Sequence, residues 1–238
     1  MIFNPDQIIL WQYSFIKINA TLAFTWGVMA LLALGSFLVT RRLLVVPPIS
    51  KKQNLMEVIV YHVNEQIRQV SQQPPHRYLP LIGSLFLFIF VSNLLAVVPG
   101  YMPPTGSLST TTALALCVFV AVPAYSIKQF GLWNYLKQYC QPNLFMLPFN
   151  IIGEFSRTLA LAVRLYGNIM SGAVIGAIFL GFVPFFFPVL MQLLGLLTGT
   201  IQAYIFSVLT MVYIASSIPS SLKNKDNNSP ETKGDTDD

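Results

Sequence analysis

The side chains of this chain that could do chemistry are polar residues set inside apolar helices. Arg164 lies in the stretch LALAVRLYGNIMSG (159–172), whose other residues are mostly apolar. Placing an arginine at the centre of a bilayer costs about 2.5–3.5 kcal/mol on insertion scales, so Arg164 must face protein or water. Because a guanidinium does not lose its proton in a protein, Arg164 supplies a fixed positive charge. The residue type and its place therefore favour an electrostatic role.

Arg164 belongs to a polar and small stripe along one face of its helix, at spacings of three and four residues. The stripe consists of Arg157, Leu161, Arg164, Asn168, Ser171 and Gly172. The candidate acid in this half of the chain is Glu154, which lies three residues before Arg157 and can pair with it. We therefore expect another subunit to supply the partner of Arg164. The alternative is an internal ion pair or a contact with backbone carbonyls that only holds the bundle together.

A second stripe follows on the last apolar helix, where Gly195, Thr198, Gly199 and Gln202 share a face. The pairs Gly172–Gly176 and Gly195–Gly199 have the GxxxG spacing, which lets another helix approach closely. Gln202 is a strongly polar residue deep in this helix. It has either a functional role or a structural one, as a hydrogen bond between helices.

The helices that position these residues must be membrane helices. Of the 238 residues, 54% are hydrophobic and 10% are charged, against about 25% charged in a soluble domain. Five apolar runs are long enough to span a bilayer: roughly 19–40, 79–99, 109–127, 148–182 and 188–217. Pro123 predicts a kink in the third run, and the prolines of FVPFFFP (182–188) predict a break between the last two. The sequence thus predicts an all-α polytopic membrane protein with one integral domain over 1–220 and a disordered polar tail over 221–238.

Lysine and arginine counts predict the orientation. The segment between the first two spans carries six basic residues, and the connections around 100–108 and 183–188 carry none. We therefore expect the N-terminus outside and the C-terminus in the cytoplasm, with Lys17, Arg157 and Arg164 as exceptions. Segment 53–70 repeats apolar residues on one helical face and predicts an amphipathic helix on the cytoplasmic surface, either a packing helix or a docking surface.

Several function classes are disfavoured by what the sequence lacks. It has no GxxxxGK[ST] nucleotide loop, no HExxH motif and no Cys/His cluster, and its basic residues flank apolar runs rather than forming a nucleic-acid surface. We expect no cofactor, no metal site and no catalytic residue. A stand-alone ion transporter is the main alternative function, although such folds usually show internal repeats and none is evident.

Two motifs resemble those of the F-type ATP synthase subunit a family. VRLYGN (163–168) is similar to the family's RLxGN motif, and IQAYIFSVLTMVYI (201–214) is similar to its last-helix motif; weaker similarity covers roughly 20–216. The resemblance implies a non-catalytic stator subunit of the membrane Fo sector. It implies a bacterial cell membrane, a ring of proteolipid subunits (subunit c), a peripheral stalk (subunit b) and other ATP synthase subunits as partners.

The resemblance also implies roles for the residues of the two stripes. The last two helices would form a long tilted hairpin against the ring, with Arg164 facing the ring's carboxylates between two laterally offset half-channels. Gln202 and Asn168 would orient the guanidinium or line a channel. Glu154, Arg157, Ser171 and Thr198 would line or support the half-channels. The glycines Gly172, Gly176, Gly195 and Gly199 would permit close packing to the ring.

Three positions depart from the pattern of proton-translocating members. Those members carry an acid nine residues after the arginine, where this chain has Ala173, and a His or Glu seven residues before the glutamine, where it has Gly195. Some also carry an acid late in the second span, at about the position of Ala96 here. Either water lines the half-channels together with polar side chains, or the transported ion is sodium. The polar candidates are Glu154, Ser156, Asn168, Ser171 and Thr198. We expect H+, with Na+ as the alternative.

Overall fold

A computed structural model describes residues 9–13, 16–40, 58, 61, 65, 78–98, 101–131, 146–181 and 187–217. Five α-helices lie within these ranges: α1 Ala20–Thr40, α2 Leu79–Leu95, α3 Leu108–Phe130, α4 Met146–Leu180 and α5 Phe187–Ser216. Four of them are long and apolar enough to cross a membrane, and α2 is a shorter apolar helix of 17 residues. The predicted polytopic α-helical membrane protein is confirmed.

A short β-hairpin precedes α1 and was not predicted. Strand β1 (Ile9–Tyr13) pairs antiparallel with β2 (Ile16–Asn19), with Tyr13 opposite Ile16 and an irregularity between Ile9 and Trp11. The β1 sequence ILWQY is rich in β-branched and aromatic residues, which favour strands. The sequence signal was therefore present but was overlooked beside the apolar run that follows.

Prolines and a glycine mark several helix ends. Pro80 lies in the first turn of α2, where a missing N–H is tolerated. Gly131 follows α3 at φ 81°, a left-handed conformation that favours glycine. The break predicted at 182–188 is confirmed, because α4 ends at Leu180 and α5 begins at Phe187. Pro123 lies inside a continuous α3, and the predicted kink there stays a prediction.

The core forms where α2, α3, α4 and α5 meet. Its most deeply buried side chains include Ile89, Val118, Leu165 and Phe206, each no more than 1% exposed. Helix α1 packs at one edge through Val28 and leaves most of its other side chains exposed, including Trp26 at 64%. Exposed apolar side chains on a spanning helix are suited to lipid contact. The four-helix core therefore positions the two polar stripes, and α1 is peripheral to them.

Three expectations from the sequence lie outside the described residues or are not tested by them. In the predicted amphipathic segment 53–70 the structure describes only Val58, Tyr61 and Glu65, all in helical conformation. The tail over 221–238 lies outside the described ranges. The orientation of the termini stays a prediction.

Candidate functional site

Arg164 lies on the outer surface of α4. Its neighbours Leu161 and Leu165 are 1% and 0% exposed, whereas Arg164 itself is exposed. Among the described residues it makes no hydrogen bond and no ion pair. The core therefore holds the helix through the leucines, and no described group of this chain neutralises the guanidinium.

A first cavity of about 450 Å³ lies between the middle of α3, the first half of α4 and the end of α5. We call it the Glu154 cavity. Its lining contains polar, charged and apolar side chains. The lining residues are Val118, Phe119, Val122, Phe149, Asn150, Gly153, Glu154, Arg157, Thr158, Tyr213, Ser216 and Ser217.

Arg157 and Tyr213 form the aromatic contact of this cavity. The Arg157 Cζ lies 5.6 Å from the centroid of the Tyr213 ring, within the range in which a cation is attracted to a ring face. Glu154 lines the same cavity, so two of the predicted half-channel residues are brought together there. The sequence gave no sign of the contact between Tyr213 and Arg157, because the two residues are on different helices.

A second cavity of about 430 Å³ lies between the end of α2, the turn after it, the second half of α4 and the first half of α5. We call it the Asn168 cavity. It gathers five further predicted residues, Asn168, Ser171, Gly172, Gly195 and Thr198. None of the described side chains that line it is ionisable. Ser156 is exposed on α4 and lines neither cavity.

The three positions that depart from the family pattern meet in this second cavity. Ala96, Ala173 and Gly195 all line it, although they come from three different helices or helix ends. None of the three supplies a polar side chain, so the polar groups of a largely apolar lining are amides and hydroxyls. The sequence comparison identified the three positions singly, and the fold shows that they belong to one space.

Asn93 and Gln192 are lining residues of the Asn168 cavity that the sequence analysis missed. Asn93 is 4% exposed; its Nδ2 donates to Gly199 O at 2.9 Å, and Thr105 Oγ1 donates to Asn93 Oδ1 at 3.2 Å. Gln192 Nε2 donates to Val97 O at 2.9 Å and to Ala96 O at 3.3 Å. In the sequence, each appears only as a polar residue within an apolar run. Such a residue does not indicate which group will accept its hydrogen bond.

The four glycines expected to face a ring differ in surroundings. A Cβ on Gly199 would lie 2.9 Å from Asn93 Cγ, so Gly199 has a packing role inside the chain. A Cβ on Gly172, Gly176 or Gly195 would meet nothing within 4 Å in the described structure. Close approach of a ring helix to any of the four stays a prediction, and only Gly199 has an internal reason to be glycine.

Gln202 is buried, at 6% exposure, one turn beyond Gly199 on α5. Its Nε2 has no hydrogen-bond partner among the described residues. Burying an amide without a partner costs about 1–3 kcal/mol, so such a group calls for an explanation. The described structure shows no hydrogen bond between Gln202 and Arg164, and the amide retains donor capacity that the described chain does not use.

Comparison with known proteins gives consistent matches. The family model described as ATP synthase A chain matches residues 22–215. The chain is 61% identical to ATP synthase subunit a 2 of Acaryochloris marina, over 91% of this chain and 92% of that protein. It is 59% identical to ATP synthase subunit a 2 of a Picosynechococcus species, over 91% and 93%, and 57% identical to ATP synthase subunit a of Albidiferax ferrireducens, over 91% and 94%. The similarity thus covers all five helices.

Proposed function

The chain belongs to the ATP synthase subunit a family, the stator subunit of the membrane Fo sector, and on that premise we propose that it passes ions to and from a rotating proteolipid ring. Arg164 is the essential fixed charge in this proposal. The Glu154 cavity and the Asn168 cavity are the inner parts of two half-channels. The chain itself catalyses no covalent step.

The position of Arg164 between the two cavities is the observation that carries the proposal. On α4 the Glu154 cavity is lined as far as Thr158, and the Asn168 cavity begins at Asn168. At 1.5 Å per residue, Arg164 is about 9 Å beyond the first and about 6 Å before the second along the axis. Each cavity therefore stops short of an exposed, uncompensated charge, and no continuous lining joins them in the described structure.

Electrostatics explains what such a charge does to a passing carboxylate. At about 4 Å and an effective dielectric near 20, a guanidinium attracts a carboxylate by about 4 kcal/mol, equivalent to about three pKa units. A ring carboxylate that arrives loaded with its ion is therefore driven to release it near Arg164. The same charge repels a cation that would cross directly between the cavities. The ion gradient supplies about 2.3 kcal/mol per charge per 100 mV.

The remaining residues take supporting roles. Gln202 has an unused donor, which suits a side chain that orients a partner group. Asn168 lines the cavity nearest to Arg164. Arg157 and Glu154 set the charge of the Glu154 cavity, while Ser171 and Thr198 provide hydroxyls in the other. Gly172, Gly176 and Gly195 leave open space on the helix surface, which supports close approach of a ring helix.

The proposed orientation in the membrane follows from the distribution of lysine and arginine, and the proposed partners follow from the family. With the C-terminus in the cytoplasm of a bacterial cell, the end of α3 with Lys128 and the start of α4 are on the cytoplasmic side, so the Glu154 cavity opens there. The ring of subunit c, stalk subunit b and other ATP synthase subunits are the partners. A stand-alone transporter has no support in the described features, because membership of this family makes the chain a subunit of a complex.

The transported ion is H+ or Na+. The polar groups of the Asn168 cavity are amides and hydroxyls within a largely apolar lining, without a carboxylate relay, which suits water-mediated proton transfer and also a hydrated cation. Vesicles that contain the assembled complex, energised with ATP in the presence and absence of sodium and of a protonophore, separate the two.

Replacement of Arg164 tests the proposal. We expect Arg164→Gln to abolish ATP-driven ion pumping in membrane vesicles while the complex still assembles. Lys128→Gln is the matched control, because Lys128 is an exposed basic residue at the end of α3 that lines neither cavity. Coupled pumping by the Arg164→Gln complex at the rate of the control would overturn the proposal.

A further inference from the structure

Helices α2 and α5 are joined by side-chain amides at two levels. Near the end of α2, Asn93 donates to Gly199 O, and about one turn further Ala96 O and Val97 O accept from Gln192. The residue numbers run in opposite directions, so α2 and α5 are antiparallel. At each level a side-chain amide from one side donates to a backbone carbonyl of the other helix or of the turn directly after it. These ties form a wall of the Asn168 cavity.

The contact between Asn93 and Gly199 is the tighter of the two. Both polar ends of Asn93 are engaged, Nδ2 by Gly199 O and Oδ1 by Thr105 Oγ1. Built on Gly199, a Cβ would lie 2.9 Å from Asn93 Cγ and 3.0 Å from Asn93 Nδ2. The absence of a side chain at 199 is therefore what lets the amide reach the helix backbone. Gln192, by contrast, is exposed.

From this geometry we propose that Asn93 is a positioning residue that clamps α5 onto α2 through Gly199. The clamp fixes the wall of the Asn168 cavity and the height at which Gln202, three residues further on α5, presents its unused donor. Since both polar ends of Asn93 are engaged within the chain, it acts through α5 and not as a ligand of the passing ion. The proposal deepens the proposed function and rests on it for the meaning of the cavity.

Substitutions on both sides of the contact test the clamp. Asn93→Leu keeps a similar volume and removes both hydrogen bonds, and Asn93→Asp keeps an acceptor for Thr105 while removing the donor to Gly199. Gly199→Ala introduces the methyl group that collides with Asn93. The double variant Asn93→Ser, Gly199→Ala makes room for that methyl group. Ser84→Ala is the matched control on α2, because the Ser84 hydroxyl bonds only Leu81 O of its own helix in the described structure.

Pumping is measured per assembled complex in vesicles, as both the maximal rate and the ion concentration that gives half of it. We expect Asn93→Leu, Asn93→Asp and Gly199→Ala each to lower the maximal rate about fivefold or more. This factor corresponds to the smallest free-energy cost of leaving a buried polar group without its hydrogen-bond partner. They also shift the half-maximal concentration. The double variant still lacks the hydrogen bond to Gly199 O, so we expect it to lose about as much as Asn93→Leu and no more, since steric coupling makes the two changes non-additive.

A second measurement does not depend on pumping. Thr198→Cys, in a chain whose Cys117 and Cys140 are replaced by serine, places a thiol in the lining of the Asn168 cavity. We expect the rate of labelling by a water-soluble thiol reagent to change about severalfold when Asn93→Leu or Asn93→Asp is added, because loss of the buried hydrogen bond lets the wall move, and to stay the same with Ser84→Ala.

The outcomes distinguish the two proposals. Unchanged labelling together with unchanged pumping per complex in the Asn93 variants would overturn the clamp, as would a loss of pumping that only tracks the amount of assembled complex. Intact pumping in Arg164→Gln would overturn the proposed function, and the labelling result would still decide whether Asn93 positions α5.

Discussion

The Glu154 cavity and the Asn168 cavity have nearly the same volume but different chemistry. The first contains a carboxylate, a guanidinium and a phenol ring, and the second contains amides, hydroxyls and glycines with no ionisable side chain among its described lining residues. Both are lined by α4 and α5, but the first is completed by α3 and the second by the end of α2 and the turn after it. Under the proposed function, the two ends of the α4–α5 pair would handle an ion differently, with charged groups at one end and neutral polar groups at the other.

The largest expected effect comes from the residue between the two cavities. We expect Arg164→Lys to lose pumping by about tenfold or more, although lysine is also basic, because an ammonium can release its proton when desolvated and lacks the planar fork of a guanidinium. ATP-driven pumping in vesicles measures the loss. Arg157→Lys is the control in the Glu154 cavity and should retain most activity. Equal pumping by the two variants would mean that the position of the charge between the cavities carries no special role.

Giving the Asn168 cavity an acid would make the two cavities more alike. We expect Ala173→Glu to make pumping depend more steeply on pH than it does in the parent, because the neutral lining gains a titratable group. Ala173→Gln, of the same size but without a titratable proton, should keep the parental profile. Pumping rates across a pH series check this, and superimposable profiles for the two variants would contradict the assignment of Ala173 to the ion path.

Neutralising the acid of the Glu154 cavity should have a smaller effect. We expect Glu154→Gln to slow pumping about threefold at low ionic strength, with a somewhat smaller difference at high salt because mobile ions partly screen a half-buried charge. Ser156→Ala is the control, since Ser156 lies on the same helix and lines neither cavity. Pumping assayed in a series of salt concentrations measures the effect. A loss that stayed constant across the series would point to a packing defect instead of an electrostatic one.

The contact of Arg157 with the aromatic ring of Tyr213 should affect pumping less than the charge of Glu154 does. A cation over an aromatic face contributes about 0.5 kcal/mol at the low end of the usual range, which corresponds to about a twofold change. We therefore expect Tyr213→Leu to lower pumping by that factor and Tyr213→Phe to leave it nearly unchanged. If phenylalanine were as harmful as leucine, the hydroxyl and not the ring face of Tyr213 would be the important group.

The smallest effect concerns the turn before α3, next to the Asn168 cavity. Burial raises the pKa of Tyr101 from 10.0 to about 12, and its ring lies edge-on to Phe24, with centroids 5.0 Å apart. Its contribution to stability is therefore complete below pH 10 and is lost as the pH rises through about 12. We expect the Tm of Tyr101→Phe to fall less than that of the parent above pH 10, measured by thermal unfolding in detergent. Parallel falls would show that another group controls alkaline stability.

Patterns within one helix were predictable from the sequence, and contacts between helices were not. The apolar runs and the prolines near 182–188 located the last two helices to within a few residues. Asn168, Ser171 and Gly172 were identified by spacing alone, and the structure brings them to one cavity. The contacts that join Asn93 to Gly199 and Gln192 to Val97 were not predictable, because each of these hydrogen bonds joins residues about a hundred positions apart. Helical periodicity carries no information about which helix is the neighbour.

The polar stripe on α4 shows where periodicity reaches its limit. Leu161 was assigned to the same face as Arg164, but it is buried and Arg164 is exposed. Residues three apart on a helix differ in direction by about 60°, which is enough to put them on either side of a packing edge. The sequence defined the stripe, and only the positions of α3 and α5 decide which of its members face inward.

The exposed, unneutralised Arg164 has a consequence for how the complex is made. In a lone chain in lipid this side chain either stays near hydrocarbon or draws water and headgroups toward it, and both options cost free energy. Docking of an acid-bearing neighbour removes that cost. Under the proposed function, solitary copies are therefore the least stable form of the chain, which favours assembly in a membrane that already contains the acidic neighbour.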